Sequence, residues 1–181
     1  MRQNSGNNAT YKLCVVGILC ALEIVLSRIA AINVFPWLKI SFGFIPIAIC
    51  AILAGPGWTV MMAVVCDIIG ATLFPTGTFY WGFTLVAAVD GLIYGLYLYK
   101  QKNNIIRCLL CTFTVAVICN ILLNTVFLVR TGYIVGPENE AFMPAFWARV
   151  GKNMAQFVVN GLILFGIWKA LDRIPARMRR L

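Results

Sequence analysis

The chain has 181 residues, of which 61% are hydrophobic, a formal net charge of +9 and no histidine. Its mean hydropathy of +0.88 is far from that of a soluble domain, in which about half the residues are apolar. These values exclude a water-soluble globular protein. They also make the cations a matter of membrane topology rather than of nucleic-acid binding.

A spanning helix needs roughly 20 mostly apolar residues, so the chain holds six spans only if the connections are short. The expectation is an all-α integral membrane protein, residues 1–181 forming a single six-helix membrane domain. The polar opening Met1-Arg2-Gln3-Asn4-Ser5 runs into an apolar stretch over 12–32 that has no small-residue cleavage site. It is read as a retained first helix and not a signal peptide. The second apolar stretch, 44–54, is short for a crossing, and Gly55-Pro56-Gly57 is a strong turn signal that joins it to the third, 57–74, as a helical hairpin. The remaining spans are expected over 81–99, 106–129 and 147–171.

Lys and Arg accumulate on the cytoplasmic side of membrane proteins. An even number of spans with both termini cytoplasmic puts Arg2, Lys12, Lys100, Lys102, Arg107, Lys169, Arg173, Arg177, Arg179 and Arg180 inside, and leaves Arg28, Lys39, Arg130, Arg149 and Lys152 outside. The bias favours that orientation, and the basic C-terminal tail suits anionic lipid headgroups. The outer cations exceed what topology requires, which invites a functional reading.

From Arg149, residues Asn153, Gln156 and Asn160 follow at i+4, i+7 and i+11, one stripe of a helix. Asn120 and Asn124 in the fifth span offer amides at a similar depth. Such groups either bond helix to helix or face a wet cavity; the whole set is read as a cavity open to the outside. Aromatic residues crowd the same side: Phe79, Tyr80, Trp81 and Phe83 before and within the fourth span, Trp37 in the first outer connection, Phe146 and Trp147 at the last span. An interfacial belt accounts for some of them. Aromatic walls with a few convergent polar groups are also what a small-molecule site looks like, and the cations suit an acidic group on its ligand.

Glu23, Asp67 and Asp90 lie within spans, where a carboxylate is costly unless paired or wet. Asp67 and Asp90 fall at corresponding depths. They either relay protons, or pair with Arg28 or another cation, or accept hydrogen bonds from a ligand's N–H groups. Ala87, Gly91 and Gly95 form one small-residue run and Gly17 with Ala21 another, and both permit close helix approach. Catalysis finds little footing, because histidine is the commonest general base. The seven cysteines lie in apolar stretches, and Cys108-x-x-Cys111 has no second pair to complete a zinc site. No phosphate-binding loop or Gly-x-Ser-x-Gly elbow is present, so no cofactor, metal or self-supplied ATP hydrolysis is expected.

Several segments taken in order resemble a known family: Val25-Leu26-Ser27-Arg28, Lys39-Ile40-Ser41-Phe42-Gly43-Phe44-Ile45-Pro46, Gly55-Pro56-Gly57, Asp67-Ile68-Ile69-Gly70, Phe74-Pro75-Thr76-Gly77, Gly82-Phe83-Thr84 and Trp147-Ala148-Arg149. The pattern is similar to the substrate-binding S components of energy-coupling-factor (ECF) vitamin transporters, closest to the folate-specific branch, over nearly the full chain. The resemblance implies a non-enzymatic subunit in the plasma membrane of a Gram-positive bacterium. Such a subunit captures its vitamin from outside and docks on a transmembrane T subunit served by two ABC-type ATPases. The family's Ala-x-x-x-Ala docking pattern falls here on Gly17 and Ala21. Folate suits the inventory: its rings match Tyr80, Trp81, Phe83 and Trp147, its donor-bearing pterin edge matches Asp67 or an Asn, and its carboxylates match Arg28, Arg149 or Lys152. Pantothenate is the nearest rival, and a stand-alone ion-coupled carrier using Asp67 and Asp90 is the reading from another class.

Overall fold

The computed structural model describes residues 4–29, 32–35, 38–74, 80–132 and 142–173. Helix α1 (Asn4–Ile24) continues through a π-helical turn, Val25–Ile29. A short antiparallel hairpin follows, β1 (Ile32–Phe35) with β2 (Leu38–Ile40), in which Ile32 pairs with Ile40 and Asn33 with Lys39. Then come α2 (Phe44–Ala54), α3 (Pro56–Leu73) and α4 (Trp81–Leu98). The fifth apolar segment is α5 (Ile105–Val115), a π-helical stretch (Ala116–Leu123) and α6 (Asn124–Arg130) run together, and α7 (Phe142–Asp172) closes the chain. The molecule is an all-α integral membrane protein with six apolar helical segments, and the hairpin is a small addition that the sequence pattern did not announce.

Five of the segments are long and apolar enough to cross a bilayer. The exception is α2, whose 11 residues span only about 16 Å against a hydrocarbon core of about 30 Å. Burial explains how it survives: Ala48, Cys50 and Ala51 are completely covered, and α1, α3, α4 and α7 all pack on it. A helix that is apolar all round belongs in a core, and α2 is the core of this bundle. By contrast Leu13, Ile18, Met61, Leu96, Ile106 and Leu122 are exposed on the helices around it, an outer surface suited to lipid.

The turn between α2 and α3 depends on Gly55, whose φ of +91° is left-handed and whose missing Cβ would fall 2.9 Å from the Tyr99 ring. Pro56 then opens α3 at a position where its lost N–H has no helical partner in any case. Helices α3 and α4 make the most extensive pairing of the fold. The small-residue run permits it: a Cβ at Gly91 would sit 2.9 Å from the Thr59 carbonyl oxygen, and Gly95 lies directly against Pro56. All seven cysteines are free thiols, and Cys50, Cys66, Cys108, Cys111 and Cys119 are buried packing residues.

Candidate functional site

At the end of the bundle where α1 finishes and α4 begins, Asp67 is held from two sides. Arg28, carried by the π-helical turn, donates from Nη2 to Oδ1 at 3.3 Å, and Thr84 on α4 donates from Oγ1 to Oδ2 at 2.8 Å. The guanidinium reaches Asp67 across Gly70, one turn further along α3, where a Cβ would stand 2.7 Å from the Arg28 Nε. Three helices are thereby tied through one carboxylate. Nearby, Gly43 is pressed against Ser27 and Glu23, with 2.9 Å from its missing Cβ to the Ser27 Cβ, so the Glu23 and Ser27 face covers the start of α2.

The second constellation lies between the fifth segment and α7. Arg149 is buried, 6% exposed, and donates from Nη2 to the carbonyl oxygen of Asn120 at 3.2 Å. Asn120 belongs to the π-helical stretch, a wider turn of the kind that concentrates at functional sites. Asn153 is 4% exposed. Asn120, Asn153, Gln156 and Asn160 converge with Tyr94 and Thr112 on a cavity of about 20 Å³. The approach of α5 to α7 that brings them together is set by Thr112, whose Oγ1 donates to the Phe157 carbonyl at 3.0 Å, and by Gly161, which has no Cβ to strike Leu109. The helical stripe read from the sequence is therefore an interior one. The cavity's volume suits a water or two and is far below the 300–1,000 Å³ or so of a small-molecule site.

Aromatic rings cluster above it. Tyr80, Phe83 and Phe127 form a mutual group with centroids 5.6 to 6.4 Å apart, seated on Gly82, whose Cβ would meet Phe127 at 2.8 Å. Phe127 escaped the sequence reading, although it lies seven residues beyond Asn120 on the same segment. Trp81 and Trp147 are not gathered into this group; they are 71% and 65% exposed, Trp147 touching Phe146 edge-on. Lys152 is half-buried one turn beyond Arg149. The Asn124 Oδ1 and Thr125 Oγ1 atoms, at the start of α6, are buried with no hydrogen-bond partner among the described residues. Trp37, Phe79 and Pro75-Thr76-Gly77 lie outside the described residues.

On α1 the face carrying Gly17 and Ala21 is open. Nothing lies within 4 Å of a Cβ at Gly17, and Ala21 is exposed, so internal helix packing does not account for the pair. No group of three or more metal-ligating side chains occurs among the described residues.

A bundle of six apolar helical segments with a buried cation and amide cluster defines a polytopic membrane protein with a polar interior. Comparison places it more narrowly: residues 11–171 match the family model "ECF transporter, substrate-specific component", and the chain belongs to that family. It is 33% identical over 157 residues to the folate transporter FolT of Clostridium novyi, covering 86% of this chain and 87% of that one. It is 34% identical over 153 residues to the folate transporter FolT of Leuconostoc mesenteroides, covering 83% and 80%. Among solved structures, a crystal structure of FolT bound with folic acid is similar with a TM-score of 0.75 and 32% identity, over 84% of this chain and 89% of that one.

Proposed function

We propose that this chain is the folate-capturing S component of an ATP-driven ECF importer in a Gram-positive plasma membrane. The observation that carries the reading is the convergence of Arg149, Asn120, Asn153 and Gln156 on one interior site, in a chain whose relatives are folate transporters. In this reading Arg149 and Lys152 receive the ligand's carboxylates, Asn120, Asn124, Asn153 and Gln156 complete its hydrogen bonds, and Tyr80, Phe83 and Phe127 supply ring contacts. Trp81 and Trp147 serve at the mouth. The site faces outward, with both termini cytoplasmic. Energy comes from two ATPases, coupled through a T subunit that docks on the Gly17 and Ala21 face.

Arg28 enters the site as a cation already oriented by Asp67, whose other oxygen is held by Thr84. That engagement of Asp67 also weighs against an ion-coupled carrier, whose relay would need the same carboxylate free to exchange a proton. Titration of the detergent-purified chain by tryptophan fluorescence tests the reading. Folic acid is expected to bind with a submicromolar Kd without nucleotide. Saturable binding of pantothenate or thiamine, with none of folic acid, would overturn it.

A further inference from the structure

Asp67 on α3 and Asp90 on α4 are both intramembrane carboxylates, but they do not share the depth that the sequence suggests. The α4 residue level with Asp67 is Thr84, six residues before Asp90, and the structure treats the two acids differently. Asp67 has both oxygens occupied, Oδ1 by Arg28 and Oδ2 by Thr84. Asp90 has its Oδ1 buried with no hydrogen-bond partner among the described residues. A buried acceptor without a donor is costly, and in native structures such an atom calls for a water, an ion or a ligand. The surroundings place this one beside the site already described. Tyr94, one turn further along α4, lines the amide cavity, and the electrostatic neighbours of the carboxyl include Cys111 and Cys119, the latter adjacent to Asn120. Tyr94 carries the one hydroxyl donor among these, and no hydrogen bond reaches Oδ1 from it.

We propose that Asp90, and not Asp67, is the carboxyl that reads the ligand's N–H donors. The assignment rests on the folate reading above. A 2-amino-4-oxopteridine presents a ring N–H and an exocyclic amino N–H side by side, a pair that matches the two-oxygen fork of a carboxylate as a guanidinium does. Neither an amide nor a hydroxyl presents two acceptors in that arrangement. By pairing with that edge, Asp90 fixes the ligand's polarity, donor edge at α4 and carboxylates toward the cations of α7. Specificity of this kind is strong because the wrong ligand leaves a buried polar group unpaired.

The test compares folic acid with its analogue lacking the 2-amino group, titrated against the full chain and against Asp90→Asn. The unmodified chain is expected to prefer folic acid at least tenfold. In Asp90→Asn, folic acid is expected to weaken at least tenfold while the analogue changes less than threefold, so the preference collapses. Equal weakening of both ligands, or no weakening, would overturn the assignment and leave the carboxyl satisfied by water. Should the variant fail to fold, the unmodified chain decides alone, because equal affinity for the two ligands overturns the proposal and a tenfold preference supports it. Failure of the unmodified chain to bind folic acid at all would overturn the folate reading together with this assignment.

Discussion

Arg28 and Asp67 are 39 positions apart in the chain and meet at 3.3 Å, with side chains 14% and 18% exposed. Each is a charge in a membrane segment, and each makes the other tolerable. Removing one partner strands the other, which costs about 2 to 4 kcal/mol at such burial. Asp67→Ala is therefore expected to lower the thermal unfolding midpoint of the detergent-purified chain clearly, and the Arg28→Ala, Asp67→Ala double variant to recover part of the loss. Gly70→Val should resemble Asp67→Ala, since its side chain would displace the guanidinium. A double variant no better than the worse single one would show that the pair is not what stabilises this end of the bundle.

Arg149 is expected to recognise charge. A hydrogen bond to a charged group contributes about 1.5 to 3 kcal/mol, or roughly one to two decades of affinity. Arg149→Ala should weaken folate by that amount and weaken a pterin fragment without the glutamate much less, read by fluorescence titration of both ligands. Equal losses would make Arg149 a clamp between α7 and the Asn120 carbonyl, with no ligand contact. The contact with Asn120 makes this comparison necessary.

Much of this was legible before the structure. The apolar runs, the Gly55-Pro56 turn and the stripe from Arg149 to Asn160 depend on local periodicity and turn chemistry, which a sequence displays directly. The π-helical stretches did not show, because a wider turn is set by packing and not by residue type; Asn120 lies in one, and its backbone carbonyl accepts from Arg149. Phe127 was missed because an isolated Phe in an apolar helix carries no signal until Tyr80 and Phe83 are seen to close on it. Exposure separated Trp81 and Trp147 from the ring cluster, and sequence spacing does not encode which side of a helix meets lipid when both sides are apolar. For Asp67 the sequence left a pair, a relay and a ligand contact open; only the positions of Arg28 and Thr84 show the pairing.

Gly161 tests whether the site depends on the spacing of α5 and α7. A Cβ there would stand 2.7 Å from Leu109 Cδ2 and 3.1 Å from Thr112 Oγ1, so a large side chain must wedge the helices apart. Overpacking of this kind costs about 1 to 3 kcal/mol. Gly161→Leu is expected to weaken folate binding at least tenfold by fluorescence titration, because Asn120 and Asn153 no longer converge, while the protein remains folded by circular dichroism. Unchanged affinity would locate the ligand wholly among the aromatic rings, away from the amides.

The α1 face separates binding from energy coupling. Gly17 and Ala21 lie about one turn apart on the open side of the helix, and a side chain added at Gly17 meets nothing. Bulk at this face therefore leaves the isolated chain undisturbed, while in an assembled importer it falls between two helices that must approach closely. Ala21→Trp is expected to abolish ATP-dependent folate uptake in cells that supply the energising module, and to reduce copurification of the ATPases with the tagged chain in parallel. Equilibrium folate binding by the purified variant should stay within about twofold of the unmodified chain, a difference of less than half a kcal/mol, because the amide cavity lies between other helices. Uptake at the normal rate with the assembly intact would make this face a lipid-exposed surface, and the T subunit would then have to engage the bundle elsewhere.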